Sequence, residues 1–436
     1  MRLPDISLLG FVIGLVVNQA AGAITDRFNL PSGSGSCASY STLLDDYLVD
    51  TTTLINGMVT AMDLAVQVED SEEKMVAQKF FNAYLAVLFH NQENVVDVYG
   101  NAGFSWDTIK STITLLKAFV DTGDYPTFTR PPHLFCASYG QWFSWDSAVF
   151  DASGKEYKDA NGQSQSIKDM YADSYEADKT RKPYWIPALK NYAFLQDVYD
   201  EDICATTKMI AVPGGYEKSE PLNGMAAPGH DKKTVVQKTD DADTAASATK
   251  DAKEVSELIL YEALADSILL CPRVLTTADE DTYSLLKDVP YVKPDSTTKQ
   301  LSQLLPQSAN LFHELIHVVT FWREETETTS SKRLLGRASD FQYDLWECLK
   351  LASTPTTYGT APINVESYTY FAMAWWYYRN DWSGQEPVAF YYGLPEEVIW
   401  PESEPESDDD GGGGDDGYGG DDGYGDDYVG SDGDDA

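Results

Sequence analysis

The chain has 436 residues, 43% of them hydrophobic, with 70 acidic against 31 basic side chains and a formal net charge of −39. The apolar share is ample for a folded core, whereas so negative a chain repels polyanions, which argues against nucleic acid and anionic membrane surfaces as partners. Five cysteines at wide spacing, with no C-x-x-C, argue equally against a structural zinc module.

Met1 to Ala23 carries one arginine, an apolar run from Ile6 to Val17 and a small-residue exit. That pattern predicts a secretory signal peptide, with a soluble, secreted mature chain and no membrane insertion. All five cysteines lie beyond the exit, so an oxidising compartment allows two disulfides and one remaining thiol, in a pairing the sequence leaves open. There is no Asn-x-Ser/Thr site, so N-glycosylation is not expected.

Cys37 to Gly123 reads as helical. Asp70 with Glu73 forms a capping box ahead of an apolar series from Met75 to Leu88, and Ser105 caps a further run from Trp106 to Phe119. His90 reads there as a buried or interfacial imidazole. From Leu134 to Tyr157 aromatic and polar residues alternate around a break at Asp151 to Gly154, predicting strands and a hairpin, and Asp202 to Val212 adds a strand. A polar surface insertion follows over about 213–252, then a helix from about Glu254 to Ile268 leading to Leu269-Leu270-Cys271-Pro272. An apolar helix spans Asn310 to Trp322, and Arg323 to Arg337 is a charged connection. Asp340 to Ala352 is the next helix, and Asn364 to Arg379 is an aromatic core helix against the first of these. Together these elements predict an α+β domain over 24–400, with two subdomains as the alternative for so long a chain.

The last 36 residues hold 15 acids, no Lys or Arg, and two copies of Asp-Asp-Gly-Tyr-Gly, at Asp415 and Asp421. Such sequence cannot bury enough area to fold, so 401–436 is a disordered, solvating tail. Its clustered aspartates raise the alternative of loose cation capture or contact with a basic cell-surface polymer.

His313-Glu314-Leu315-Ile316-His317 dominates the functional reading. Residues four apart share one face of a helix, so two imidazoles can grip one Zn²⁺ while Glu314, one position round, serves as the general base for water. Leu311, Phe312, Leu315, Ile316, Val318 and Val319 bury the helix on most sides, as rigid ligands require. Two satisfied core histidines would share that apolar pattern, but they give no reason for the glutamate between them.

A catalytic zinc needs a third protein ligand. Thr320 and Arg323 stand where a metzincin places its glycine and third histidine, so that arrangement fails. Glu347 lacks the supporting acid four residues on, where Leu351 stands. Asp340 is the better candidate: Asp340-Phe341-Gln342-Tyr343 puts a carboxylate and a phenol three apart, on one side of a helical turn. A helix N-cap explains an aspartate there equally well.

H-E-x-x-H, then D-x-x-Y, then Cys348-Leu-Lys-Leu-Ala352 and Asn364-Val-Glu-Ser-Tyr-Thr-Tyr-Phe-Ala372, with Ile268-Leu-Leu-Cys271-Pro272 upstream, resembles the deuterolysin, or aspzincin, family of secreted zinc endopeptidases, including its peptidyl-Lys branch. The blocks occur in order over most of the mature chain. The resemblance implies a zincin-like metallopeptidase fold, one Zn²⁺ on His313, His317 and Asp340, Glu314 and Tyr343 as catalytic residues, and protein or peptide substrates. It departs at Arg337, Ala338 and Asp344, where the family pattern G-T-x-D-x-x-Y-G has Gly, Thr and Gly. The altered surroundings, the long insertion and the acidic tail leave an alternative: a secreted protein of the same fold that binds zinc or a cell-surface partner without cleaving. The acidic body suggests a preference for basic residues in a substrate.

Overall fold

The computed structural model describes residues 22–33, 35–90, 94–97, 104–123, 131–138, 140–151, 153–196, 204, 211–214, 225–226, 267–276, 282–294, 299–320 and 338–398. The expected signal peptide, most of the insertion, the connection after the motif helix and the acidic tail therefore lie outside the described residues. So does the His90 side chain.

Helix α1 (Ser41–Val66) buries Leu44, Leu48, Thr51, Ile55, Met58, Ala61 and Ala65, a spacing of three to four that turns one face inward. Helix α2 (Glu72–Leu85) starts at Ser71, whose Oγ accepts from the Lys74 N–H. Ser71 thus takes the cap expected of Asp70, which pairs instead with the Lys74 ammonium at 3.1 Å. The helix stops at Ala86, in the left-handed region at φ 56°, and the expected helical run through Val87 and Leu88 is a strand. β1 (Val87–His90) pairs antiparallel with β2 (Asn94–Asp97). Helix α3 (Phe104–Thr122) begins one residue before Ser105, so this serine sits buried inside the first turn rather than capping it.

β3 (His133–Phe135) and β4 (Gln141–Trp142) open the sheet-forming region, and the expected hairpin break is present, with Phe150 bridging Glu156 across Asp151 to Gly154. Two short helices, α4 (Ile167–Met170) and α5 (Ala172–Ala177), lead into the antiparallel pair β5 (Arg181–Ile186) and β6 (Asn191–Gln196). β7 (Ala211–Gly214), β8 (Met225–Ala226) and β9 (Ser267–Leu270) complete two mixed-length sheets, ordered β4-β5-β6-β8 and β3-β9-β7. β9 is central, parallel to β3 and antiparallel to β7. All four of its residues are buried, which is why Ser267 and Ile268 form strand and not the expected helix end: a short run buried on both faces gains ladder bonds on both edges.

The second half is helical: α6 (Ala309–Thr320), α7 (Leu345–Ser353) and α8 (Val365–Arg379), followed by the small pair β10 (Val388–Ala389) and β11 (Glu396–Glu397). Thirteen of the fifteen residues of α8 are buried, the mark of a helix enclosed on all sides. It packs on α1, α2 and α6. The fold is thus α+β, mixing helices with small sheets. Among the described residues, no helix is long and apolar enough to cross a membrane.

Two disulfides form, Cys37–Cys136 and Cys204–Cys271, leaving Cys348 as a buried thiol. The first ties the start of the helical part to the end of β3, and the second closes on the residue after β9.

Candidate metal centre

Helix α6 carries the H-E-x-x-H motif and is anchored from several directions. It packs on α1, α3, α8 and the β7 and β9 strands. Ahead of it, the buried Asp50 carboxylate on α1 accepts from the Ser308 hydroxyl at 2.7 Å and the Leu286 N–H at 2.8 Å. Leu311, Phe312, Leu315 and Ile316 are fully buried, each contributing roughly 1.5–3 kcal/mol of burial. The motif side chains therefore project from a fixed helix.

His313, His317 and Asp340 meet, their ligating atoms all within 4.8 Å of one another. The Asp340 Oδ1 lies 3.2 Å from His313 Nε2 and 3.0 Å from His317 Nε2. The other nitrogen of each ring is engaged: His313 Nδ1 lies 2.7 Å from Glu366 Oε2, and His317 Nδ1 lies 3.3 Å from the Ala338 carbonyl. Each ring so held donates through Nδ1, and both Nε2 atoms converge on the Asp340 carboxylate.

Asp340 does not lie on a helix. Residues 338–343 form an irregular turn, and α7 begins later with Asp344 as its N-cap, accepting from Trp346 and Glu347 N–H groups. The expected helix from Asp340 is thus shorter, and the capping alternative for Asp340 falls because its neighbour four residues on performs that task. Tyr343 still reaches Asp340, through its hydroxyl, at 2.9 Å from Oδ2. Its ring lies nearly parallel to that of His313, with centroids 6.4 Å apart, and the residue is 63% exposed. Glu347 is on the surface, paired with Lys350, and takes no part.

Glu314 is 4% exposed, and its Oε2 is buried without a hydrogen-bond partner among the described residues. Burial pushes its carboxyl up to about 8; the His313 charge opposes this, while Asp340 and Glu366 add to it. Burial would also raise Asp340, but hydrogen bonds from His313 and His317 outweigh it and hold this carboxyl well below its usual range. Burial disfavours charge on His313, yet its bonds to Asp340 and Glu366 raise it well above the ordinary imidazole value. Partial burial and the Asp340 charge beside it push the Tyr343 phenol up.

This donor set fits a divalent metal ion. Two imidazole nitrogens and a carboxylate supply three ligands of the kind zinc takes, and the orphaned Glu314 oxygen lacks the partner that a buried polar atom requires. The sequence did not single out Glu366. It belongs to an aromatic core helix, and its one visible signal is a carboxylate in the first turn of a segment otherwise buried. Replacing it with Ala frees the His313 ring to turn, and metal affinity should fall about 10–100-fold, measured by competition against a chromophoric chelator.

No protein-family model, curated protein or solved structure matches this chain. The geometry of the cluster and the motifs that form it carry the functional reading.

Proposed function

We propose that this protein is a secreted zinc-dependent endopeptidase of the deuterolysin, or aspzincin, type, with a zincin-like domain. The observation that carries the reading is the convergence of His313, His317 and Asp340 beside the buried Glu314, whose Oε2 has no hydrogen-bond partner among the described residues. Asp340 comes from a separate segment, 23 residues beyond His317, so the meeting is not a consequence of helical spacing.

His313, His317 and Asp340 would hold the ion. When bound, Zn²⁺ supplies a Lewis acid that polarises a carbonyl and eases the ionisation of water at neutral pH. Glu314 takes a proton from the attacking water and passes it to the departing amine. Tyr343, solvent-accessible and bonded to Asp340 in the free protein, turns its hydroxyl to the oxyanion that develops on the scissile carbonyl. Glu366 keeps the His313 ring from rotating. The two disulfides support an oxidising, extracellular setting, and protein or peptide substrates follow from the same reading.

Casein and a mixed peptide library test it. Cleavage by the purified protein, abolished by a chelator and restored by stoichiometric zinc, is the expected result. Stoichiometric zinc without cleavage would assign the chain to a binding role on the same scaffold, and absence of bound metal would end the peptidase and the zinc-binding readings.

A further inference from the structure

The Asp340 turn has no glycine, although it must fold tightly enough to bring one carboxylate against two imidazoles. What holds it lies at the start of α8. The backbones of Ser339 and Asn364 form a parallel bridge, with the Ser339 N–H on the Ile363 carbonyl at 2.8 Å and the Val365 N–H on the Ser339 carbonyl at 3.2 Å. Immediately after Asp340, two successive N–H groups, of Phe341 and Gln342, donate to the single Oδ1 of Asn364, at 2.9 and 3.0 Å. Asn364 is fully buried, and its amide is itself oriented. Its Nδ2 donates to the Ser367 hydroxyl at 3.0 Å and approaches the Cys348 sulfur at 3.4 Å, which turns the oxygen toward the loop.

We infer that Asn364 is a positioning residue for the third ligand: its side-chain oxygen gathers the two N–H groups after Asp340 and so sets where that carboxylate points. Two adjacent amides aimed at one acceptor fix the turn in a way that a single bond would not. Losing that acceptor leaves two part-buried N–H groups unpaired, so the turn loosens as they take water instead and the carboxylate moves with it. The inference rests on the metal-binding part of the proposed function and not on peptide hydrolysis.

Co²⁺ is the probe, because its visible absorption reports the ligand set directly. Asn364→Leu keeps the side-chain volume and removes the acceptor; Asn364→Asp keeps an acceptor oxygen and lets Ser367 and Cys348 donate to its other oxygen. In the full-length protein, with near-ultraviolet circular dichroism confirming native packing, the Leu variant is expected to bind Co²⁺ about 10–100-fold more weakly with an altered spectrum. The Asp variant should restore both. A folded Leu variant with parental affinity and spectrum would overturn the inference, as would an Asp variant that folds and remains as impaired as Leu. If the Leu variant does not fold, Asn364→Ser carries the test, since its shorter hydroxyl cannot meet both N–H groups: weakened binding supports the inference and parental binding overturns it. A parent protein that binds no Co²⁺ would overturn the metal site itself, a result distinct from a parent that binds and variants that match it.

Discussion

Glu314→Gln is expected to retain metal and to lower peptide hydrolysis by roughly 10²–10⁴-fold, the usual contribution of a positioned general base. The amide preserves the shape of the buried side chain but cannot accept a proton. The same substitution has a second consequence in the metal-free protein. There the Glu314 carboxyl is raised to about 8 from an ordinary 4.5, first by burial. A folded-state value above the unfolded one means that stability is fully present below pH 4.5 and is lost as pH rises toward 8, because the folded state holds a proton that the unfolded chain has released. Gln carries no such dependence. The metal-free variant should therefore be the more stable protein at pH 9, by up to about 5 kcal/mol, since each tenfold change in proton affinity is worth ~1.4 kcal/mol. The advantage should vanish near pH 4. Urea melts of chelator-treated parent and variant at both values measure this. Equal melts at pH 9 would show that Glu314 ionises without penalty, and undiminished hydrolysis would remove it from the chemistry.

Asp340→Ala should lower zinc affinity by roughly 10²–10⁴-fold, since one of three ligands is lost from a total binding free energy on the order of 10–16 kcal/mol. The loss extends beyond the ligand. Asp340 Oδ1 is the common partner of both imidazoles, at 3.2 and 3.0 Å, so its removal takes a hydrogen-bond partner from both rings and, from His313, a charge that favours its protonation. The pH at which the metal-free His313 ring loses its proton should drop, because its bond to Asp340 is one of the causes that hold it up, and the shift is visible in the His313 proton resonances. Competition with a chromophoric chelator measures the affinity, and parental binding would strike Asp340 from the ligand set.

How much of this was legible in the sequence varied with the range of the interaction. The two histidines and Glu314 could be read because helical spacing alone puts them near one site. Asp340 could be named but not decided: its approach to the histidines depends on a turn held by Asn364 from the next helix, a contact with no local signature. Glu366 was invisible for the same reason, being 53 residues from the ring it holds. Short apolar runs misled in two places, Val87–His90 and Ser267–Leu270, where four residues cannot display a period. The β5–β6 hairpin escaped notice because its turn contains no glycine or asparagine; Lys190 takes the left-handed conformation, at φ 56°. Capping was misplaced by a residue or more at Ser71, Ser105 and Asp344, since several polar side chains competed at each helix start. The α+β class survived these errors because it depends on long segments and not on their ends.

The Cys204–Cys271 bridge has a consequence for how the chain tolerates change. It joins positions 67 apart in sequence, enclosing the polar stretch between β6 and β9 like the drawstring of a bag. Any single backbone cut between the two cysteines leaves one covalent molecule, so a nicked protein would run as intact on a gel until it is reduced and then as two fragments. Residues added inside the enclosure raise the closure entropy only logarithmically, about 0.6 kcal/mol per doubling, and leave the strand that supports the motif helix tethered at the same point. A tag or reporter domain inserted after β8, within about 227–252, should therefore leave metal binding unchanged, whereas one that interrupts β7, which packs on α6, should not.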